Sequence, residues 1–353
     1  MIMKRIITAI VVLALSAVAA HARELKFKED GTFKVMQLTD LHLNPKLPGE
    51  CLLVFDRIDR LVAMEKPDFI AITGDMVYGK PAEEVIVKLR AQLDSYRIPW
   101  AVVYGNHDYQ FNLTRAEMSK LYTDGEYNCN TLNENGELAD MEIPVMDGDK
   151  PGYYIFMMDS HDYCAIKNIG TYGYFSWEQV QWLRESCKAR TAEDGSVAPS
   201  LAFFHIPLCE YTDAWHRMEN TRQGEGDFKH CVGMRGENIA SGALNTGMFA
   251  AMKETGSVAG VFCGHEHDND FLACYCGISV AYGRFTGAGA VYNNIPAGAR
   301  IIQVKPLDRT IETWIRDDAG RFVRHVKSDG WELKTASSRP KGGSYGQWCP
   351  VKE

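Results

Sequence analysis

Side chains of the kind that bind metal ions recur in five short segments of the chain. The segments contain, in order, Asp40 with His42, Asp75, Asn106 with His107 and Asp108, His205, and His265 with His267. Imidazole and carboxylate groups are the usual protein ligands of zinc, iron and manganese. Any one segment is weak evidence, because an aspartate after a strand is common as a turn former. Together they exceed what a single ion requires, so the sequence favours two ions.

Two ions held about 3.5–4 Å apart support a specific chemistry. Such a pair can hold a hydroxide at neutral pH and can clamp the attacking and leaving oxygens of an in-line displacement. An aspartate placed between the ions can bridge them. The segments therefore indicate hydrolysis assisted by a pair of transition-metal ions, of which Fe, Zn and Mn are the candidates.

The elements that must position these side chains are predicted strands. Short runs rich in β-branched and aromatic residues occupy 33–39, 69–73, 100–104, 153–158, 201–204 and 258–263, and ligand-type residues follow five of these six runs. Helical spacing of apolar residues occurs over 52–64, 82–93, 177–187 and 243–253. The carboxyl ends of parallel strands meet at one edge of a sheet, so the ligand-type residues are expected in one cleft there.

The later part of the chain has a different texture. Short strands joined by glycine-containing connections are predicted over 271–275, 278–284, 300–304 and 310–315, as antiparallel sheet that completes the same domain. Two segments without clear periodicity, 128–151 and 209–236, are predicted to be long surface loops that shape the substrate site.

The five segments resemble the signature of the calcineurin-like metallophosphoesterases. The similar motifs are Asp40-Leu-His42, Gly74-Asp75, Gly105-Asn106-His107-Asp108, His205, and Gly264-His265-Glu-His267. Further motifs resemble the branch that contains the yeast dosage-dependent cell-cycle phosphatase and the plant purple acid phosphatase 29 type. They are Met158-Asp159-Ser160, Gln179-x-x-Trp182-Leu183, Asn245-x-Gly247-x-Phe249 and His267-Asp-Asn-Asp270-Phe271.

The resemblance implies a role for each matched residue. One ion would take Asp40, His42 and His267, the other would take Asn106, His205 and His265, and Asp75 would bridge them. His107 would lie outside the metal ligands and donate to the phosphoryl or leaving oxygen. Asp108 would hold the His107 imidazole in orientation, the support that such histidines commonly need.

Tyr78 marks a departure from the purple acid phosphatases. Those enzymes have glycine at the position of His42 and a tyrosine iron ligand three residues after the bridging aspartate. This chain has both His42 and Tyr78. With the histidine present, Tyr78 is interpreted as a nearby packing residue, and iron ligation is the alternative.

Three arginines precede the last segment and could clamp a phosphate through two hydrogen bonds. They are Arg217, Arg222 and Arg235. An ordinary surface role is the alternative for each of them.

The amino terminus is typical of an export signal. Lys4 and Arg5 precede an apolar run that is shorter than the roughly 20 residues a membrane-spanning helix needs. Small residues at Ala20 and Ala22 predict cleavage after Ala22, so the protein is expected in the periplasm or outside the cell, without a stable membrane anchor. The ten cysteines fit an oxidising compartment, and Cys209 and Cys231 are predicted to form a disulfide.

Net charge limits the partners. The formal charge of −8 at pH 7 argues against nucleic acid as a partner, because such proteins need a basic face. No G-x-G-x-x-G follows the first strand, which disfavours a dinucleotide-binding oxidoreductase. The expected partner is a small phosphorylated substrate, with a phosphoprotein as the alternative.

These observations predict an α/β fold, a four-layer αββα sandwich of two mixed sheets with the dimetal centre at the carboxyl edge of the strands. The domains are a signal peptide over 1–22, a metallophosphoesterase domain over 23–330 and a tail over 331–353. The expected activity is hydrolysis of phosphate monoesters by in-line attack of a metal-bound hydroxide, assisted by His107. A phosphodiesterase and a catalytically silent metal-binding module are the alternatives.

Overall fold

The computed structural model describes residues 24–170, 172–220, 231–327 and 347–348. The predicted signal peptide lies outside the described residues, and so does the predicted tail apart from Gln347 and Trp348. In the part of the chain that is described, no helix is both long enough and apolar enough to cross a membrane.

Strands and helices alternate through most of the chain. The strands are β1 Leu25–Lys26, β2 Phe33–Leu38, β3 Phe69–Thr73, β4 Trp100–Val103, β5 Met141–Asp147, β6 Lys150–Met157, β7 Ser200–Phe203, β8 Cys231–Val232, β9 Met234–Arg235, β10 Val258–Cys263, β11 Leu272–Tyr275, β12 Ile278–Tyr282, β13 Gly298–Val304, β14 Glu312–Asp317, β15 Phe322–Lys327 and β16 Gln347–Trp348. The helices are α1 Pro48–Glu65, α2 Ala82–Ser95, α3 Arg115–Thr123, α4 Trp177–Ala189, α5 Glu210–Asn220 and α6 Met248–Thr255.

Two mixed sheets carry the fold. The larger has eight strands in the order β1-β5-β6-β7-β10-β12-β11-β8, and the smaller has six in the order β15-β14-β13-β2-β3-β4. Strands β2, β3 and β4 run parallel to one another. Strands β6, β7, β10 and β12 run parallel to one another in the larger sheet, and β1 pairs with β5 in parallel. A two-stranded ribbon joins β9 to β16.

The burial of alternate side chains defines four layers. On β3, Phe69 and Ala71 belong to the apolar cluster between the sheets, whereas Ile70 and Ile72 pack in the cluster that contains Ile58 of α1. On the other sheet, α4, α5 and α6 contribute to a third cluster. A strand buried on both faces is typical of a sheet covered by helices. The predicted αββα sandwich is confirmed.

Local sequence accounts for several helix boundaries. Ser176 and Gln179 form a capping box at the start of α4, with Gln179 N donating to Ser176 Oγ at 3.2 Å. Helix α6 begins later than the pattern over 243–253 predicts. Gly247 precedes it with a left-handed φ of 90°, which the helix cannot include.

The two predicted loops contain regular structure, so both predictions were wrong. Within 128–151, β5 pairs with β6 in antiparallel register and buries Met141 and Val145. Within 209–236, α5 buries Tyr211, Ala214 and Trp215, a helical spacing that the charged neighbours obscure. Each element is short and about half of its residues are polar, so tertiary packing determines whether the segment forms a strand or a helix.

Cys209 is a free thiol, so the predicted disulfide to Cys231 is wrong. Its Sγ lies 3.9 Å from the carbonyl oxygen of Gly242. Five more of the described cysteines are also free thiols: Cys51, Cys164, Cys187, Cys263 and Cys276.

Candidate metal centre

All the predicted ligands lie just beyond the carboxyl ends of strands, and the two sheets contribute separate halves. The smaller sheet delivers Asp40 and His42 after β2, Asp75 after β3 and Asn106 after β4. The larger sheet delivers His205 after β7 and His265 with His267 after β10. The sheets are packed face to face, so these seven residues meet between them.

The first group of ligand-type atoms consists of Asp40, His42 and His267. One ligand atom from each lies within 4.8 Å of the others, and all three residues are buried. The Nε2 atoms of His42 and His267 are 3.2 Å apart. Asp40 Oδ1 lies 3.7 Å from His267 Nε2. The structure thus brings together the three residues assigned to one ion.

The second group consists of Asp40, Asp75 and His205, again within 4.8 Å. Asp75 Oδ2 lies 3.4 Å from His205 Nε2 and 3.6 Å from His42 Nε2, so this oxygen faces both groups. Asn106 Oδ1 lies 3.1 Å from His205 Nε2. The His265 ring packs edge-on against His205 at 5.1 Å. Asp40 belongs to both groups, which the sequence did not predict.

Hydrogen bonds made by Nδ1 of two imidazoles indicate the state of their Nε2 atoms, which face the ligand groups. His205 Nδ1 lies 2.8 Å from the Thr73 carbonyl oxygen, and His267 Nδ1 lies 2.8 Å from that of Tyr292. A carbonyl oxygen can only accept, so each Nδ1 carries the proton and each Nε2 presents a lone pair. At His205 that lone pair faces the oxygens of Asp75 and Asn106. Lone pairs that converge in this way require a proton or a metal ion between them, so the donor set fits metal binding.

Buried charge leads to the same conclusion. Burial lowers the pKa of His42 to about 3, which keeps this imidazole neutral and available as a ligand. Burial alone would also lower the pKa of His205, but the Asp75 carboxylate and their hydrogen bond outweigh it and raise the value to about 10. The site therefore draws a proton to His205 when no other cation compensates Asp75. A divalent ion would supply that charge.

Four of these residues have strained backbones. Positive φ angles occur at Asp40 (54°), His42 (45°), Asp75 (53°) and His265 (79°). Such conformations cost of order 1–3 kcal/mol each and persist where the surrounding structure enforces them, often at functional sites.

Two glycines allow the loops to approach. A Cβ on Gly74 would lie 2.5 Å from His205 Nδ1, and one on Gly105 would lie 2.5 Å from the Asp75 amide nitrogen. The Gly-Asp and Gly-Asn-His motifs are therefore explained by close packing.

Asp108 has a different role from the one predicted. Its two carboxylate oxygens accept hydrogen bonds from the backbone amides of Asp75, Met76, Val77 and Gly105, at 2.7–3.0 Å. The carboxylate shapes the loop that presents Asp75. Gln110, and not Asp108, contacts the His107 imidazole, with Oε1 at 2.8 Å from His107 Nδ1.

Tyr163 connects this pair to the ligands. Its hydroxyl accepts from Gln110 Nε2 at 2.9 Å and from Asn106 Nδ2 at 3.2 Å. Because the amide nitrogen of Asn106 is occupied by Tyr163, its Oδ1 is the atom turned toward His205. Sequence reasoning missed Gln110 and Tyr163, since neither is a metal ligand or part of a motif.

A cleft of about 340 Å³ opens over the ligand groups. Besides His42, Asp75, His107, His265 and His267, it is lined by Tyr78, Tyr172, Tyr292, Glu237, Asn238, Ala240, Glu266, Ala290 and Val291. Arg235 does not line the cleft. Its guanidinium binds the carbonyl of Glu237 and Asn238 Oδ1. Arg222 and the side chain of Arg217 lie outside the described part of the chain.

Comparisons with known proteins agree with this geometry. The calcineurin-like phosphoesterase family model matches residues 33–269. The chain belongs to the calcineurin-like phosphoesterase family. Similar proteins include the probable inactive purple acid phosphatase 28 of Arabidopsis thaliana, 28% identical over 82% of this chain and 79% of that protein. The phosphatase DCR2 of Saccharomyces cerevisiae is 27% identical over 84% of this chain and 55% of its own length.

A solved structure supports the fold. The dimetal phosphatase from Danio rerio superimposes with a TM-score of 0.55 and 13% identity, covering 84% of this chain and 98% of that one. The family and the two ligand groups together indicate a divalent dimetal centre in this calcineurin-like phosphoesterase.

Tyr78→Phe is expected to leave metal content and turnover within about twofold of the unchanged protein. The Tyr78 ring packs edge-on against His42 and His107, each at 5.1 Å between centroids, while His42 Nε2 points at His267. Tyr78 is thus a packing partner of the predicted ligand. The visible spectrum of the iron-loaded protein checks this, because bound tyrosinate gives a charge-transfer band. A purple iron form that turns colourless in Tyr78→Phe would contradict the prediction.

Gln110→Ala is expected to lower kcat about tenfold or more with metal content unchanged, the usual effect of removing a group that orients a functional imidazole. Gln110→Glu keeps an acceptor for His107 Nδ1 and should retain more of the turnover. Gln181→Ala is the matched control, since Gln181 Nε2 donates to Glu185 Oε1 on the exposed surface of α4. Steady-state kinetics together with metal analysis provide the measurement. Equal kcat in Gln110→Ala and the unchanged enzyme would exclude the orienting role.

Proposed function

We propose that this chain is a dimetal phosphoesterase that hydrolyses phosphate monoesters, with His107 as its proton donor. The observation that carries the proposal is the placement of His107. It lines the cleft beside both ligand groups but belongs to neither, and its ring is held from behind by Gln110. A metal-binding protein without catalysis has no chemical need for such a residue.

The chain's own residues would divide the work as follows. Asp40, His42 and His267 would hold one ion, Asn106, His205 and His265 would hold the other, and Asp75 would face both. The pair of ions would supply the activated water and stabilise charge on the phosphoryl oxygens. His107 Nδ1 donates to Gln110 Oε1, so the imidazole, when it carries its second proton at Nε2, would deliver that proton to the leaving oxygen and return to the neutral form.

The names of the similar proteins favour monoesters. The similar proteins from Arabidopsis thaliana and Saccharomyces cerevisiae are named as phosphatases. Phosphodiester hydrolysis, which uses the same metal chemistry, is the alternative. Three of the relatives are named as probably inactive, which favours a silent metal-binding module as the second candidate.

A substrate screen tests these alternatives. The purified chain is loaded with Zn, Mn or Fe and assayed with p-nitrophenyl phosphate and bis(p-nitrophenyl) phosphate, which share one leaving group. The proposal expects metal-dependent release with a higher kcat/KM for the monoester. A higher value for the diester would assign a phosphodiesterase, and metal binding without either reaction would assign the silent module.

We also propose that the protein is exported and cleaved after Ala22. The support is the sequence of residues 1–22, with Lys4 and Arg5 before an apolar run. Amino-terminal sequencing of protein recovered from the producing cells should begin at Arg23. Recovery of the uncleaved protein, beginning at Met1, in the cytoplasmic fraction would contradict export.

A further inference from the structure

The cleft beyond the metal ligands has tyrosine walls. The Tyr292 ring stacks on His267 at 4.6 Å and 30°, and the residue is 56% exposed. Tyr172 packs edge-on against His265 at 4.3 Å. Tyr163, 42% exposed, stacks on Tyr172 at 5.9 Å. Aromatic rings thus lie against two of the predicted ligand histidines, where the alcohol part of a bound ester would emerge.

The orientation of Tyr292 is fixed by a hydrogen bond. Its hydroxyl donates to Glu237 Oε2 at 2.6 Å. Glu237 is itself held, because Oε1 accepts from the Asp268 amide at 2.8 Å. The ring is therefore presented to the cleft in a defined position, which lowers the entropic cost of stacking a ligand on it.

The charge around the cleft is one-sided. Glu237 and Glu266 line it, while no lysine or arginine does so among the described residues. Among the described residues that line the cleft, a second phosphate or carboxylate on the substrate would meet no cationic side chain. The metal ions would supply positive charge next to this described part of the lining, and the scissile phosphate would use it.

We propose that the tyrosine walls, with Tyr292 as the principal contact, form a subsite for the alcohol part of the ester, selecting an aromatic ring without a further negative charge. This inference rests on the proposed function, whose metal centre it extends. Stacking on an aromatic face contributes roughly two- to tenfold in affinity. The substrate class is a phosphate monoester of a neutral alcohol that carries a planar ring.

A matched pair of substrates tests the subsite. Benzyl phosphate and cyclohexylmethyl phosphate differ in the flatness of the ring but have similar leaving groups. The metal-loaded full chain should hydrolyse the benzyl ester with a kcat/KM about two- to tenfold higher. 4-Carboxybenzyl phosphate should fall below benzyl phosphate, because its added charge faces Glu237 without a cation.

Three variants assign the preference to the ring. Tyr292→Leu should lose the benzyl preference, and Tyr292→Phe, which keeps the ring but not the hydroxyl, should retain most of it. The backbone carbonyl of Tyr292, which accepts from His267 Nδ1, is unchanged in both. Trp177→Leu removes an exposed aromatic residue that does not line the cleft and should behave like the unchanged protein.

Binding of benzylphosphonate and cyclohexylmethylphosphonate, measured by calorimetry, separates the subsite from catalysis. Equal affinity of the two phosphonates, or a benzyl preference that survives in Tyr292→Leu, would overturn the subsite. If neither ester is hydrolysed but benzylphosphonate binds more tightly, the proposed activity fails and the subsite stands.

Discussion

Asp75→Ala is expected to release both metal ions and to abolish measurable hydrolysis. Asp75 Oδ2 faces His42 and His205 at 3.6 and 3.4 Å, so its removal takes a donor from each group at once. The same residue accepts the His107 amide through Oδ1 at 2.8 Å, which adds a local defect at the proton donor. Loss of one carboxylate should thus affect both ions and His107.

Two further variants make the assignment specific. His42→Ala removes a donor from the first group only and should retain at least one equivalent of metal. Asp40→Ala distinguishes the two aspartates, because Asp40 also belongs to both groups. Elemental analysis of each purified variant, with circular dichroism to verify folding, gives the measurement. Two equivalents of metal in Asp75→Ala would show that Asp75 is not the bridge. Complete loss in Asp40→Ala, with one equivalent retained in Asp75→Ala, would make Asp40 the bridge.

His107→Ala is expected to keep its metal and to lose about 10²–10⁴ in kcat, the usual contribution of a positioned acid or base. The metal should stay because His107 is in neither ligand group. The loss should shrink for esters of acidic alcohols, since such leaving groups need less protonation. Measuring kcat of both enzymes over a series of aryl and alkyl phosphates checks this dependence.

The leaving-group series also identifies the nature of the effect. An equal loss for every ester would remove proton donation and leave His107 a purely electrostatic role. His107→Asn serves as a second variant, because it keeps a hydrogen-bond donor but cannot transfer a proton at neutral pH. Loss of metal from His107→Ala would place His107 among the ligands and contradict its assignment.

The sequence located the cleft because its ligands follow strands whose composition is unambiguous. Strands β3 and β10 have the predicted bounds, and β2 and β4 end one residue early. Fully buried strands are continuous apolar runs, so their ends are sharp. Asp75 and His265 could be placed at the sheet edge for that reason.

The support around the ligands could not be predicted in the same way. Asp108 accepts from four backbone amides, and backbone amides carry no sequence signature. Gln110 reaches His107 through a turn whose geometry depends on tertiary packing. Tyr78, Tyr172 and Tyr292 line the cleft from distant parts of the sequence, and their convergence depends on how the two sheets pack.

The division of the ligands between two sheets couples metal binding to the architecture. Asp40, His42, Asp75 and Asn106 belong to one half of the sandwich, and His205, His265 and His267 belong to the other. Each bound ion would have ligands from both sheets, so the sheets could not separate without losing the ion. An ion present at a hundred times its dissociation constant would add about 2.7 kcal/mol to the free energy of unfolding for each site. A chelator would then inhibit the enzyme and would also weaken the packing of one sheet against the other.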